Sequence, residues 1–415
     1  MRMFVEIKLT AINIGFPIKL FADAHVFDKE YQGARTFIKE IYSLLSQKNE
    51  LRLYLGAYDT DRLKEIFPDS GNICFVKYSS RSPIRRLIYD IPTILEKYSI
   101  DYAHFQYIIP LAKKCRYIVT IHDVLFYDFP NEFPLAYKLS RKALFKRSVI
   151  KADILTTVSC YSKTKIEKHL KPKQERVHVI PNAVNKKFFL PFDKSVSQRF
   201  IREKYGIGKF ILYVSRFEPR KNHISLLHAC LKLNLFEQGY YLVLLGHKSI
   251  GIPQLENALS NLPQTIRKFI FISNSIDDNE LLEFYRASSI FAYPSLAEGF
   301  GISPLEAGAL KIPVICSNTS AMADFSFFGK THINPNDTDL LAEKIAELVA
   351  DPPKEEYLNN ISKTISENYS WQKSAESFVN ILSGDSNAIK KRIGQQPEAE
   401  YEVTRSEYKF LNQYL

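Results

Sequence analysis

Short apolar runs recur along the chain, each followed by a longer stretch with helical spacing, and this alternation admits few folds. Continuous apolar strands buried on both faces belong to parallel sheets, and the intervening helices cover those faces. The first series predicts strands at Ile18–Ala22, Leu51–Leu55, Ile73–Lys77, Tyr102–Phe105, Tyr117–Ile121, Ile154–Val158 and Val177–Ile180, with helices over Ala34–Gln47 and Pro134–Lys151. A second series predicts strands at Phe210–Val214, Tyr241–Leu245, Phe269–Ile272, Ile290–Tyr293 and Val314–Cys316. Its helices fall at His223–Leu235, Asp278–Ala287, Pro304–Leu310, Asp339–Ala350 and Trp371–Leu382. The polar stretch Asn185–Glu203 separates the series and reads as the inter-domain linker. At 415 residues the chain exceeds a single core. The expected division is 1–195, 196–383 and a polar appendix over 384–415, an α/β protein with two parallel-sheet domains.

Charge is uneven along this frame. Residues 1–195 carry 33 Lys/Arg against 20 Asp/Glu, whereas the remainder carries 23 against 25. A basic first half beside a near-neutral second half implies surfaces that meet different partners. Arg81, Arg85, Arg86 and the helix bearing Lys138, Arg141, Lys142, Lys146 and Arg147 could face an anionic membrane, or merely keep the domain solvated. Those basic residues lack a nucleic-acid motif or an interleaved aromatic platform, so no nucleic-acid partner is expected. Cys74, Cys115, Cys160, Cys230 and Cys316 are scattered without a C-x-x-C pair and read as reduced thiols of a cytoplasmic protein. The histidines show no H-E-x-x-H spacing, and no metal site is expected. Arg2 and Lys8 precede an apolar stretch that Asn13, Pro17 and Lys19 interrupt, which reads as a short extension into the first strand rather than a leader peptide.

The densest chemistry lies in Tyr293-Pro-Ser-Leu-Ala-Glu298-Gly-Phe-Gly-Ile-Ser-Pro-Leu-Glu306-Ala-Gly. A strand ends, a glycine loop follows, and a helix begins. Ligands of open α/β sheets bind at this end of the strands, beside helix N-termini. Gly299 and Gly301 let the backbone approach an anion around Phe300, and the N–H groups of Ile302 and Ser303 can point at phosphate. Glu298 suits sugar hydroxyls, and Glu306 suits a ribose diol. Either glutamate alone would read as a solvated surface residue; the string at a strand–loop–helix junction reverses that. The second constellation is Tyr213-Val-Ser-Arg216-Phe-Glu-Pro-Arg220-Lys221-Asn. A departing diphosphate gathers negative charge, and Arg216 and Lys221 are the cations chosen to meet it, with Arg220 in a structural role.

With these residues in view, the chain resembles the glycosyltransferase family 4 group, retaining enzymes of the GT-B fold, whose mark is the E-x7-E element met here by Glu298 and Glu306. Other family patterns occur in order across roughly residues 18–383. They are Thr120-Ile-His122-Asp123, Ala152-Asp-Ile-Leu-Thr-Thr-Val-Ser159-Cys-Tyr-Ser162, Ile180-Pro-Asn182-Ala, Glu218-Pro-Arg-Lys221-Asn222 and Pro313-Val-Ile-Cys-Ser-Asn. The resemblance implies two Rossmann-like domains facing each other across a cleft, the first for the acceptor and the second for the nucleotide sugar. It implies a GDP- or UDP-linked donor as substrate, no cofactor and no required metal. It places His122 and Asp123 near the reacting sugar, Arg216 and Lys221 on the diphosphate, and Glu306 on the ribose. The family's early Gly-Gly is Gln32-Gly33 here, leaving Gly33 for the phosphate-facing loop. A usual Gly-Gly-Ala-Ala is replaced by Asp324-Phe-Ser-Phe-Phe-Gly.

These readings converge on transfer of a hexose, mannose slightly favoured, to a glycan or lipid-linked acceptor in surface polysaccharide or lipopolysaccharide synthesis, at the inner face of a membrane. The candidate catalytic set is His122, Asp123 and Glu298. A non-catalytic nucleotide-sugar or glycan-binding relative, or a sugar-nucleotide epimerase, would share the fold. Binding without transfer marks the first, and product formed without acceptor marks the second.

Overall fold

The computed structural model describes residues 17–28, 33–67, 71–172, 177–248 and 251–393. The expected N-terminal extension through residue 16, Gln32 of the Gln32-Gly33 pair, and the appendix beyond residue 393 lie outside the described residues.

The apolar runs fold as strands at the expected places. β1 (Ile18–Asp23), β2 (Leu51–Ala57), β3 (Ile73–Lys77), β4 (Tyr102–Gln106), β5 (Arg116–Thr120), β6 (Ile154–Thr157) and β7 (Val177–Val179) form one sheet in the order β3-β2-β1-β4-β5-β6-β7. β8 (Phe210–Val214), β9 (Tyr241–Leu245), β10 (Ile270–Ser273), β11 (Ile290–Tyr293), β12 (Val314–Ser317) and β13 (His332–Ile333) form a second, β10-β9-β8-β11-β12-β13. Pairing is parallel, as in Leu20↔Leu53 of the first sheet and Leu212↔Val243 of the second. In each, the strand order reverses beside the first strand of its series, which is the doubly wound Rossmann pattern and marks where a ligand crevice opens. Leu20, Phe21, Leu53 and Leu55 are fully buried in the first sheet, as are Ile211, Leu212, Val243 and Leu244 in the second. Helices on both faces exclude water from the strands, which is why the sequence runs unbroken in Val, Ile, Leu and Phe.

The chain also divides into two compact units. One holds the described residues up to Val119 together with Lys151–Ile154 and Ile393; the other holds the described residues of Thr120–Ile150 and Leu155–Arg392. Strands of the first sheet come from residues 18–179 and those of the second from 210–333, on either side of residue 195.

Four local expectations need correction. The stretch Asn185–Glu203 is mostly not linker: Lys194–Tyr205 is a helix, N-capped by Asp193 accepting from the Ser195 N–H at 2.8 Å and ended by left-handed Gly206. Its buried stripe is narrow, Ser197 and Ile201, so polarity masked it. The helix expected from Pro304 starts at Ile302, because Pro304 in its first turn forfeits no intrahelical bond. The helix from Trp371 does not stop at Leu382 but continues through Gly384 to Ile393. Arg86, expected on a basic surface, is buried with Nε 3.4 Å from Asp23 Oδ2. Tyr78 donates to the same carboxylate at 2.9 Å and His25 lies 3.0 Å away. Burial would raise the Asp23 carboxyl, but Arg86 and His25 hold it well below the usual range.

Candidate active site

β11 delivers Tyr293 into the second sheet's core, and the chain then turns through Ser295 to Glu298. Glu298 is buried and fully engaged. Its Oε1 receives Lys221 Nζ at 2.5 Å, Ser295 Oγ at 2.7 Å and the Tyr293 hydroxyl at 3.0 Å. Its Oε2 faces Arg220 Nη1 at 3.3 Å, while its own N–H donates to Ser320 Oγ at 2.8 Å. Arg220 also donates to the Ala297 carbonyl at 2.8 Å and to Glu218 Oε2 at 2.6 Å. A buried charge is tolerated only when paired and hydrogen-bonded in this way. Burial alone would raise the Glu298 carboxyl; Lys221 and Arg220 outweigh it and bring the pKa down to about 2. Burial pulls the Lys221 ammonium below its ordinary value, and Glu298 opposes the fall. Glu298 therefore acts first on Lys221 and Arg220, and its role as a sugar-hydroxyl acceptor competes with four donors already in place.

The loop beyond Glu298 is held against His122 and Asp123. A side chain at Gly299 would set Cβ 2.7 Å from Asp123 Cβ and 3.1 Å from the His122 carbonyl oxygen, so only glycine permits this approach. The Gly299 carbonyl accepts from Ser159 Oγ at 2.7 Å and Ser162 Oγ at 3.1 Å. Ser159 is also the N-cap of the helix Cys160–Leu170, accepting from the Ser162 N–H at 3.0 Å. Gly301 adopts φ 90° immediately before the helix Ile302–Ala309, and a Cβ there would strike Met322 Cγ at 2.7 Å. Phe300 packs edge-on against Phe325 and Tyr369. The first N–H groups of that helix, Ile302 and Ser303, have no partner within it and carry the positive end of its dipole.

His122 is buried, which lowers its pKa to about 4 and keeps the ring neutral near pH 7. Burial raises the Asp123 carboxyl, against the pull of Arg220; its Oδ1 accepts from the Leu125 N–H at 3.2 Å. Glu306, on the second turn of its helix, is raised by burial to about 7 although the Tyr285 hydroxyl donates to it at 2.9 Å. Lys187 also favours its charged form.

One neighbourhood thus unites Glu298, Lys221, Gly299, His122 and Asp123, with Phe300, Gly301 and Ile302 following directly. Arg216 is exposed at the end of β8, with Ser215 Oγ on its carbonyl at 3.1 Å. Gly33 opens the helix Gly33–Leu45 in the other compact unit, exposed and with room around it. Sequence reasoning missed what Ser159 and Ser162 do, although both stood in a quoted motif. It also missed Ser295, Ser320 and Glu132, whose Oε2 accepts the Arg220 N–H at 3.3 Å. Ser295 stood three residues before Glu298 in the quoted string, whereas no local signal marks Ser320 or Glu132, whose partners lie 22 and 88 residues away.

Comparison with known proteins bears on the whole frame. Residues 197–365 match the family model for glycosyl transferases group 1, and residues 31–188 match that for glycosyltransferase family 4. An O-antigen chain mannosyltransferase B of Escherichia coli is 24% identical over 352 residues, covering 80% of this chain and 90% of the relative. A serotype-specific mannosyltransferase WbdA of the same species is 26% identical over 283 residues, covering 66% of this chain and 33% of the relative. The chain thus spans about a third of that longer protein. Among solved structures, sucrose-phosphate synthase of Thermosynechococcus elongatus superposes with a TM-score of 0.71 at 17% identity, over 90% of this chain and all of that one.

Proposed function

The chain belongs to the GT-B glycosyltransferases, as a hexosyltransferase, and from that premise we propose that it moves mannose, with retention, from a GDP- or UDP-linked donor to a glycan or lipid-linked acceptor of a surface polysaccharide. The observation that carries this reading is the buried Lys221–Glu298–Arg220 network set beside the Gly299 contact with His122 and Asp123. The mannosyltransferase relatives favour mannose among hexoses.

In this mechanism the acceptor oxygen bonds to the anomeric carbon as the bond from that carbon to the phosphate oxygen breaks. The acceptor proton leaves with the diphosphate, so atoms and charge balance. Lys221 and Arg216, with the N–H groups of Ile302 and Ser303, take up the charge gathering on the diphosphate. Lys221 begins bound to Glu298, which fixes its position before the donor arrives and keeps an otherwise costly buried ammonium charged. Glu306 accepts from the ribose hydroxyls. His122, whose ring is neutral, and Asp123 face the transferred sugar, Gly299, Phe300 and Gly301 shape the floor beneath it, and Gly33 contributes a phosphate-facing loop. The reaction so written needs neither metal nor cofactor. The functional division follows residues 1–195 for the acceptor and 196–383 for the donor.

A position at the inner face of a membrane completes the reading. No helix among the described residues is long and apolar enough to cross a bilayer. The helix Leu135–Lys151 nevertheless exposes Leu135 at 67%, Leu139 at 51% and Ile150 at 38%, and Lys142 and Lys146 are exposed on the same stripe. Apolar tips among lysines suit a surface-bound rather than a spanning helix.

The test is transfer from GDP-[14C]mannose and UDP-[14C]glucose to polyprenyl-linked and free mannosides, followed by the anomeric configuration of the product. Label entering an α-mannoside from the GDP donor supports the reading. Donor binding without transfer would favour a non-catalytic relative, and conversion without acceptor would favour an epimerase.

A further inference from the structure

The segment after His122-Asp123, which includes the short helix Leu125–Asp128 and the helix Leu135–Lys151, carries aromatic side chains that the donor chemistry leaves unused. Phe126 is buried and stands edge-on to Phe133 (6.4 Å, 77°), to Tyr137 (6.3 Å, 89°) and to Phe145 (5.6 Å, 75°). Phe133 and Tyr137 lie nearly parallel, with centroids 5.5 Å apart and planes 16° from each other. Phe126 and Phe145 are ordinary core. Tyr137 is not: 38% of it is exposed, and the Arg141 guanidinium lies 5.1 Å from its ring centre. A core cluster thus props up a pair of rings that reaches water at the open end of its helix.

This surface is tied to the candidate active site. Glu132, next to Phe133, holds the Arg220 N–H through Oε2 at 3.3 Å, and Arg220 grips Glu298 in turn. Burial pushes the Tyr137 phenol up, Arg141 opposes the rise, and the charges of Asp123 and Glu218 add to it. The ring therefore lies within electrostatic reach of both carboxylates. A hexopyranose presents one face of C–H groups and a rim of hydroxyls. The electron-rich face of an aromatic ring attracts the former, and guanidinium and carboxylate groups, which Arg141 beside Tyr137 and Glu132 next to Phe133 in sequence supply, can bond the latter.

We propose that Phe133 and Tyr137, flanked by Glu132 and Arg141, form a stacking subsite for a sugar ring of the acceptor. The proposal rests on the glycosyltransferase reading and adds to it the chemistry of acceptor recognition: a glycan engaged through at least one pyranose beyond the donor, not a lipid headgroup alone.

The experiment is saturation-transfer NMR with mannobiose and maltose as probes and irradiation of the aromatic protons, paired with transfer kinetics in which mannobiose is the acceptor. Wild-type protein should pass saturation to the pyranose C–H protons of at least one probe. Tyr137→Ala should abolish that transfer and raise the acceptor KM about three- to tenfold, with a smaller change in kcat. Tyr137→Phe, which keeps the ring, should restore both. Three results would overturn the subsite: wild-type protein silent to both sugars, undiminished transfer in Tyr137→Ala, or equal loss in Tyr137→Phe. Vesicle binding lost in Tyr137→Ala while sugar contact persists would also overturn it, assigning the rings to lipid. If the wild type turns over no donor at all, the catalytic reading fails, and the NMR arm still decides the subsite.

Discussion

At the scale of single residues, Gly299 and Glu306 make sharp demands. Gly299→Ala places a methyl group within 2.7 Å of Asp123 Cβ, attached to backbone on both sides, so neither partner can yield cheaply. Overpacking of this kind costs about 1–3 kcal/mol. The variant should show a lower urea midpoint with unchanged slope. It should also lose at least about tenfold in turnover, because the His122–Asp123 turn is displaced from the loop. Wild-type midpoint and turnover would remove the contact from the account. Glu306 carries a pH signature. Its raised carboxyl is neutral below about 7, and an ionised carboxylate is the better acceptor for two ribose hydroxyls. Donor affinity should therefore fall as pH drops through about 7, and Glu306→Gln should flatten that profile; isothermal titration across pH 5.5 to about 8.5 would check it. For folding the sign is opposite: a raised carboxyl stabilises the ligand-free protein below its unfolded value, and that contribution is lost as pH rises through about 7. Neither demand was legible in the string. Glu298 and Glu306 announced a site, but ion pairs such as Arg220–Glu298 join residues 78 apart in sequence, and no local pattern records them.

At the scale of elements, buried strands declared themselves because both faces need apolar side chains, so Phe210–Val214 and Tyr241–Leu245 were readable residue for residue. Helix Lys194–Tyr205 hid, since a surface helix with two buried positions looks like a polar linker. β13, two residues at a sheet edge, is too short to leave a period. The Cys160–Leu170 helix shows how a cap serves the site: Ser159 satisfies the helix start through its lone pairs and gives its proton to Gly299. The helix Leu135–Lys151 carries the membrane reading, which flotation on phosphatidylglycerol vesicles tests. Leu139→Glu together with Lys142→Glu should abolish binding at low salt while circular dichroism stays unchanged. Vesicle binding equal to wild type would contradict the assignment, as would failure of the wild type itself to float.

At the scale of the whole molecule, two parallel sheets of like strand order repeat one architecture without repeating one sequence. Each has its order reversal at the carboxyl ends of β1 and β8, and the second sheet holds the charged network there. On the proposed reading the second sheet is the donor platform, and ligand linkage tests that reading most directly. A ligand bound to the folded state alone adds about 2.7 kcal/mol at a hundred times its Kd. The melting temperature of the wild type should climb with the logarithm of GDP-mannose concentration. Lys221→Ala and Glu306→Ala, each referred to its own ligand-free melting point, should lose most of that climb. No shift with any nucleotide sugar up to millimolar concentration, or an equal shift in both variants, would contradict the account.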